Sequence, residues 1–164
     1  MENADVRLLR AMRTKGHTPG LEAAAKALGK AGNNGAIWFG LALALAVVDS
    51  SNREAWLICA ALGPVAIGLN YAVKLIAKRP RPALEGLPPL GGAPSSLSFP
   101  SAHATSSFAV ATAMTRVAPE AALALILAAA LSLGRPYLGM HYPSDVLAGA
   151  VLGVALGLIV PLSI

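Results

Sequence analysis

Long apolar stretches, separated by short polar ones, dominate the chain after its first 34 residues. Helices that are apolar on all sides are typical of membrane spans and of the cores of large proteins. The pattern predicts five such helices, at residues 35–48, 55–73, 102–117, 120–133 and 146–160. The first is the least secure, because its 14 residues fall short of the roughly 20 that a full membrane crossing needs.

The first 34 residues have a different pattern, in which apolar side chains alternate with arginines and lysines. It predicts one or two amphipathic helices, broken at residues 17–20, that lie on the membrane surface, with His17 in solvent. We therefore divide the chain into an amphipathic N-terminal segment, residues 1–34, and a transmembrane domain, residues 35–164.

The composition agrees with this interpretation. Of the 164 residues, 55% are hydrophobic and 13% charged, which is more apolar than a soluble domain of this length requires. The predicted fold class is an all-α, polytopic membrane helix bundle. The net charge of +5 does not indicate nucleic-acid binding, because no basic stripe interleaved with aromatic residues is present. The single cysteine, Cys59, excludes a disulfide within the chain.

Three polar clusters interrupt the apolar pattern, at residues 74–82, 100–103 and 134–145. In the last of them, Pro143 suits the first turn of a helix, so that His141 precedes this helix and Asp145 lies in its first turn. A carboxylate at this spacing can orient one imidazole nitrogen and leave the other free to react. An alternative is an interfacial cap, in which Tyr137, Tyr142 and Arg135 anchor the helix at the lipid headgroups.

The predicted topology favours the functional interpretation. If the helices at 55–73, 102–117, 120–133 and 146–160 cross the membrane in alternation, all three polar clusters lie on one membrane face. Lys74, Arg81 and Arg135 would then concentrate positive charge there, and the helix that begins after Ser101 would add unpaired backbone N–H groups. These features suit a phosphate group, and two nearby histidines, His103 and His141, could supply a nucleophile and an acid. A catalytic metal is disfavoured, because the surroundings are cationic.

These residues resemble the signatures of the type-2 phosphatidic acid phosphatase superfamily of lipid phosphate phosphatases. Its first signature is a Lys followed after six residues by Arg-Pro, as in Lys74 and Arg81-Pro82. The second, Pro-Ser-Gly-His, is matched by Pro100, Ser101 and His103. The third is Ser-Arg, with a His six residues after the Arg and an Asp four residues after the His, and it is matched by Arg135, His141 and Asp145. The match covers residues from about 70 to 150.

The resemblance implies a mechanism without metal or cofactor. His141 would attack phosphorus and form a phosphohistidine, Asp145 would hold its imidazole, and His103 would protonate the leaving alkoxide. Phosphate would be bound by Lys74, Arg81, Arg135 and the backbone around Ser101 and Ala102. Lys78 and Arg79 match no signature position, and we expect them to reach lipid headgroups or, as a second interpretation, to contact the substrate.

Two positions depart from the family pattern. Ala102 replaces a Gly, which adds a Cβ near the phosphate but keeps the backbone N–H. Gly134 replaces a Ser, so that we expect one hydroxyl contact to phosphate to be missing.

The substrate implied by the resemblance is a lipid phosphate at the membrane. The small, Ala-rich chain looks like bacterial members that remove the 5-phosphate of decaprenylphosphoryl-phosphoribose. Phosphatidic acid, phosphatidylglycerol phosphate and polyprenyl diphosphates are alternatives. Two other classes stay open: a non-enzymatic membrane scaffold or lipid carrier, and a vanadate-dependent peroxidase, although members of the latter class are typically soluble and much larger.

The distribution of charge predicts the orientation in the plasma membrane. Six basic residues precede the first apolar stretch, whereas the opposite connections contain only Arg53 and Arg116. The positive-inside tendency places the N-terminal segment in the cytoplasm. If residues 35–48 cross the membrane, the polar clusters also face the cytoplasm, whereas a re-entrant segment would reverse this.

Overall fold

The computed structural model describes residues 3–92 and 96–162. Seven α-helices account for most of this part of the chain, which contains two isolated β-bridges and no longer strand. The helices are α1 (Ala4–Thr14), α2 (Pro19–Ala31), α3 (Ala36–Val48), α4 (Arg53–Ala77), α5 (Ala102–Val117), α6 (Leu123–Tyr137) and α7 (Pro143–Ile159). The predicted all-helical fold class is confirmed.

The N-terminal segment forms two helices, with the break close to the predicted position. The Asn3 side chain caps α1, and the Thr18 Oγ1 caps α2 by accepting a hydrogen bond from the backbone N–H of Leu21. The sequence analysis predicted that His17 lies in solvent, and this prediction is wrong. Its half-buried ring stacks on the ring of Tyr137, with 3.9 Å between the ring centroids, and its Nε2 lies 3.1 Å from the Tyr137 carbonyl oxygen.

Helices α2 and α3 follow each other closely and are bent by 51°. The bend falls at Asn34 and Gly35, both of which have positive φ, a conformation that glycine adopts without strain and asparagine tolerates. From there α3 packs antiparallel on the first half of α4: Gly35 lies near Ile67, and the Arg53 guanidinium bonds the Ala46 carbonyl. The chain therefore reaches the opposite end of the bundle before α4 begins.

Length and composition alone identify two described helices that could cross a membrane, Ser50–Ala77 and Pro119–Tyr137. The α2–α3 pair would be a third if the bent pair forms one span, and α7 is a shorter apolar helix. The count of five spans stays a prediction.

Helix α5 occupies the centre of the bundle and packs against α4, α6 and α7. Most of its side chains are buried, and they share a core with Trp38, Trp56, Cys59 and Leu131. The close approach of α7 depends on Gly149, Gly153 and Gly157: a Cβ on any of them would lie only 2.5 or 2.6 Å from a carbonyl oxygen of the residues at the start of α5 or within it. These three glycines, here called the glycine strip, therefore serve packing inside the bundle.

One end of the bundle, here called the site end, brings together the C-termini of α4 and α6 and the N-termini of α5 and α7. Backbone bonds fix this junction: the Ser101 N–H donates to the Asp145 carbonyl at 2.9 Å, and the Met140 N–H donates to the Arg135 carbonyl at 3.0 Å. Helix α1 and the loop at residues 79–90 lie at the same end, where Arg13 of α1 donates to the Pro88 carbonyl of the loop at 2.7 Å.

Candidate active site

A cavity of about 230 Å³ opens at the site end, between α4, α5 and α6. It is lined by six of the eight residues that the sequence singled out: Lys74, Arg81, Ala102, His103, Arg135 and His141. Asp145 lies directly behind His141 and is fully buried. The structure therefore assembles, in one place, residues that are spread over more than 70 positions of the chain.

His141 has a charged neighbour at each ring nitrogen. Its Nδ1 lies 3.5 Å from Asp145 Oδ2, and its Nε2 lies 3.1 Å from the Nη1 of Arg81. A guanidinium can only donate, so Nε2 is the acceptor and the ring proton is on Nδ1, which faces the carboxylate. Burial lowers the pKa of His141 to about 4, despite the opposing effect of Asp145. The imidazole is thus neutral at pH 7, with the lone pair of Nε2 directed to the cavity side.

The three cations of the cavity are held by backbone carbonyl groups and by packing. Lys74 is 5% exposed, and its Nζ donates to the carbonyls of Leu97 and Ser98 at 3.3 and 3.1 Å. Arg81 donates to the Met140 carbonyl at 2.6 Å. Arg135 is also 5% exposed, and its Nε has no hydrogen-bond partner among the described residues. Two buried cations, Lys74 and Arg135, together with the half-buried Arg81, suit a dianionic ligand.

His103 lies in the first turn of α5, and its Nε2 is 3.0 Å from the Gly29 carbonyl oxygen at the end of α2. A carbonyl only accepts, so this nitrogen carries a proton. Helix α2 fits closely here: a Cβ at Gly32 would lie 3.1 Å from His103 Cδ2, and one at Gly29 would lie 2.7 Å from Arg135 Nη1. No pattern in the sequence indicated that α2 would position the second histidine.

The start of α5 differs from the prediction in one respect. The backbone N–H of Ser101 is already bonded to the Asp145 carbonyl, so it is not available to a phosphate in this arrangement. The Ser101 Oγ is buried and has no partner in the described part of the chain. The N–H of Ala102, at the first position of the helix, has no intrahelical acceptor, and Ala102 lines the cavity.

The expectation for Gly134 is wrong. A Cβ at this position would lie 3.7 Å from the Cβ of Ala25 on α2, and Gly134 lines an apolar groove between α2 and α6 instead of the phosphate-sized cavity. A hydroxyl at position 134 would therefore meet α2. The helical register explains the difference, since Arg135, one residue later, takes the direction of the cavity.

Arg79 is also not where the sequence placed it. Instead of reaching lipid headgroups, it lies between two carboxylates: its Nη1 is 2.8 Å from Asp145 Oδ1, and its Nη2 is 2.7 Å from Asp5 Oδ2. Lys78 is exposed, as the headgroup interpretation requires. The dense positive run at residues 78–81 could have suggested a buried acidic partner, but nothing in the sequence marked Asp5 as that partner.

Asn70 is a further residue of the cavity that the sequence analysis missed. Its Nδ2 donates to the Pro100 carbonyl at 3.2 Å and to the Thr105 hydroxyl at 2.9 Å. The acceptor Pro100 fixes the orientation of the amide, and leaves the buried Asn70 Oδ1 without a partner among the described residues. Within the same residues, no group of three or more His, Cys, Asp or Glu side chains could hold a metal ion.

Comparison with known proteins agrees with this geometry. The family model of the PAP2 superfamily matches residues 35–164. The chain belongs to the PAP2 superfamily. It is 39% identical over 142 residues to decaprenylphosphoryl-5-phosphoribose phosphatase of Mycobacterium tuberculosis, covering 87% of this chain and 80% of the relative. The enzyme of the same name from Mycolicibacterium smegmatis is 37% identical over 131 residues, which are 80% of this chain and 72% of that one.

Two solved structures share the fold. LpxE of Aquifex aeolicus superposes with a TM-score of 0.78 at 25% identity, over 96% of this chain and 94% of that one. The PAP2 type phosphatidylglycerolphosphate phosphatase from Bacillus subtilis superposes with a TM-score of 0.75 at 24% identity, over 95% and 82% of the two chains. The family model and the relatives identify the chain as a lipid phosphatase of the PAP2 superfamily, and the solved structures agree with its fold.

Proposed function

We propose that this PAP2 phosphatase hydrolyses the phosphomonoester of a polyprenyl-linked phosphosugar, with decaprenylphosphoryl-5-phosphoribose as the substrate, as the names of its relatives state for them. The observation that carries the proposal is the cavity that His103 and His141 line together with three cations, Lys74, Arg81 and Arg135. Such a cavity fits a phosphate dianion next to a nucleophile.

The arrangement around His141 supports its role as the nucleophile. Its Nε2 would attack phosphorus in line, forming a P–N bond while the P–O bond to the sugar breaks. Asp145 would stabilise the proton that stays on Nδ1. Arg81, which contacts Nε2, would move its interaction to a phosphate oxygen and so free the lone pair for attack.

His103 is the candidate acid for the leaving alkoxide. Its Nε2 proton is held by the Gly29 carbonyl, so that the second ring nitrogen can take up a proton when the phosphate dianion enters and favours the imidazolium. That proton would pass to the sugar oxygen, and His103 would then remove a proton from the water that hydrolyses the phosphohistidine. Lys74, Arg135, the Ala102 N–H and the Ser101 hydroxyl would bind the phosphate oxygens.

Asn70 favours a substrate that carries hydroxyl groups. An unpaired buried carbonyl oxygen is costly, and next to Lys74, Arg81 and Arg135 it would weaken the binding of a second phosphate. A sugar hydroxyl could donate to it. This contact would favour a phosphoribose over phosphatidic acid and over a diphosphate, neither of which has a hydroxyl beside the reacting phosphate, but not over phosphatidylglycerol phosphate, whose glycerol has one.

We also propose that the site faces the cytoplasm from the plasma membrane. Of the 13 Lys and Arg residues, only Arg53 and Arg116 lie at the end of the bundle opposite the site. Arg116 bonds the carbonyls of Gly157 and Val160 there. The positive-inside tendency thus supports a cytoplasmic site end. In this proposal residues 35–164 form the phosphatase domain and residues 1–34 the N-terminal segment, whose helices α1 and α2 lie at the site end.

A panel of substrates tests the proposal. We expect the purified protein to release phosphate from decaprenylphosphoryl-5-phosphoribose with a higher kcat/KM than from phosphatidic acid, phosphatidylglycerol phosphate or a polyprenyl diphosphate, with and without EDTA. Vanadate should inhibit, because it can adopt the five-coordinate geometry of the transition state. A preference for one of the other lipids would refute the substrate, and no phosphate release from any of them would favour a scaffold or lipid carrier.

A further inference from the structure

Helix α1 reaches the active site through one side chain, Asp5, which is 18% exposed. Its Oδ1 accepts the backbone N–H of Ser144 at 3.0 Å, and its Oδ2 accepts the Ser144 hydroxyl and the Nη2 of Arg79, the latter at 2.7 Å. Burial raises the pKa of Asp5, but the hydrogen bonds from Ser144 and Arg79 bring it below its ordinary value. Asp5 is therefore a charged group that is built into the junction with α7.

Arg79 connects this carboxylate to the one behind the nucleophile. While its Nη2 binds Asp5, its Nη1 donates to Asp145 Oδ1 at 2.8 Å and to the Ser144 hydroxyl at 2.7 Å. Its Cζ lies 4.0 Å from the centre of the Tyr142 ring, so the guanidinium is also held from its flat side. A planar fork can serve two carboxylates in this way, whereas a lysine has one point of charge.

The contacts of Asp145 show what the connection achieves. Its Oδ1 is taken by Arg79, and its Oδ2 accepts the backbone N–H of Tyr142 at 2.8 Å. With both oxygens held, Oδ2 faces His141 Nδ1 at 3.5 Å. Because Asp145 is fully buried, its charge needs a partner, and Arg79 is the closest cation.

We propose that Asp5 is a positioning residue for the reaction: it holds Arg79 against Asp145 and thereby keeps Asp145 facing His141. Helix α1 is then part of the working active site and not only a membrane-surface segment. The inference rests on the proposed role of His141 as the nucleophile.

The pH dependence of kcat/KM separates this role from a simple effect of charge. The charged and titratable groups around His141 come from every neighbouring element: Asp5, Lys74, Arg79, Arg81, His103, Arg135 and Asp145. If Arg79 leaves Asp145, the uncompensated carboxylate favours the protonated imidazole, and the acidic limb of the profile moves to higher pH. If Asp5 acted only as a distant negative charge, its removal would favour the neutral imidazole and move the acidic limb to lower pH.

The test compares Asp5→Asn, Arg79→Gln, the double variant and wild type on one small phosphoester. We expect Asp5→Asn to lower kcat on the order of 10- to 100-fold, as is typical when a group that orients a catalytic residue is lost. KM should stay within about threefold, and the acidic limb should move to higher pH, as in Arg79→Gln. The double variant should be no slower than Arg79→Gln alone, because both changes break one connection. Glu22→Gln removes an acidic charge from the exposed Glu22–Lys26 pair of α2 and is the matched control, expected to behave as wild type.

An unchanged kcat in folded Asp5→Asn, or a limb that moves to lower pH, would overturn the inference. If Asp5→Asn cannot be purified in folded form, Arg79→Lys replaces it, since the charge is kept and the bridge is lost; wild-type kcat in that variant would also overturn the inference. An inactive wild-type protein would instead contradict the proposed function, so the two failures are distinguishable.

Discussion

The imidazole of His141 lies between a carboxylate and a guanidinium, Asp145 at Nδ1 and Arg81 at Nε2. The contact with Arg81 covers the nitrogen that would attack phosphorus. It is also the contact that a phosphate would compete for, because a dianion offers the guanidinium a stronger partner than a neutral ring. At the scale of the residue, binding of the phosphate and exposure of the proposed nucleophile, His141 Nε2, would thus occur together.

Gly134 provides a prediction at this scale. Since its missing Cβ points to Ala25 and away from the cavity, Gly134→Ser should leave KM for small phosphoesters within about twofold of wild type. Ala102→Gly, which changes a residue that does line the cavity, is the comparison. A several-fold lower KM in Gly134→Ser would show that the hydroxyl reaches the phosphate and that the register of α6 described here is incorrect.

The residues of the cavity were predictable because their spacing along the chain is short and repeats a known pattern. Only a few residues separate the members of each pair, Lys74 with Arg81 and Arg135 with His141, so that the short backbone between them sets their relative position. Arg79 and Asp5 are 74 positions apart, and Asp5 and Ser144 are 139 apart. Such pairs depend on how α1 packs, which no local pattern encodes.

At the scale of the helices, the apolar pattern predicted α4 to α7 well because each is long and apolar on several sides. It was weaker for α2 and α3, which the sequence analysis treated as a surface segment and a short span. The two helices are bent by 51° at Asn34 and Gly35, and the end of α2 inserts against His103. The ends of helices and the bends between them are set by tertiary contacts more than by composition.

The glycine strip of α7 gives a prediction at the same scale. A Cβ at Gly153 would lie 2.5 Å from the Thr105 carbonyl oxygen and 2.9 Å from the Ala109 nitrogen, both of them backbone atoms of α5. Gly153→Ala should therefore destabilise the protein by about 1–3 kcal/mol, as overpacking does. Gly68→Ala is the matched control, because it also adds a methyl to a helix but meets no atom within 4 Å.

Thermal unfolding in detergent measures both variants. Gly68→Ala should be unchanged or slightly more stable, since alanine is the better helix former by up to about 1 kcal/mol. Equal melting temperatures for the two variants would mean that α7 can move away from α5 without cost, contrary to the packing described here.

At the scale of the whole molecule, the N-terminal helices and the active site lie at the same end of the bundle. Asp5 on α1 bonds to Ser144, and Gly29 on α2 bonds to His103. The N-terminal helices and the site therefore lie on the same side of the membrane. The antiparallel packing of α3 on α4 agrees with a chain that leaves this end once before α4 returns to it.

Labelling of single cysteines in intact cells measures the sidedness. On a Cys59→Ala background, Ser96→Cys lies in an exposed loop at the site end, and Ser51→Cys is exposed at the opposite end. With a membrane-impermeant thiol reagent, we expect Ser51→Cys to react at once and Ser96→Cys to react only after permeabilisation. The reverse result would place the active site outside the cell.

The central claim, that this PAP2 phosphatase works through a covalent bond to His141, is tested most directly by trapping the intermediate. The protein is mixed with a radiolabelled phosphoester, quenched in alkali, in which a phosphohistidine is stable, and the labelled peptide is identified. We predict an acid-labile label on His141 of the wild-type protein. In His141→Ala we predict no label, and turnover should be lower by several orders of magnitude. His103→Ala should slow turnover by about 10²- to 10⁴-fold, the usual contribution of a general acid. Label on another residue, or full turnover in His141→Ala, would contradict the account.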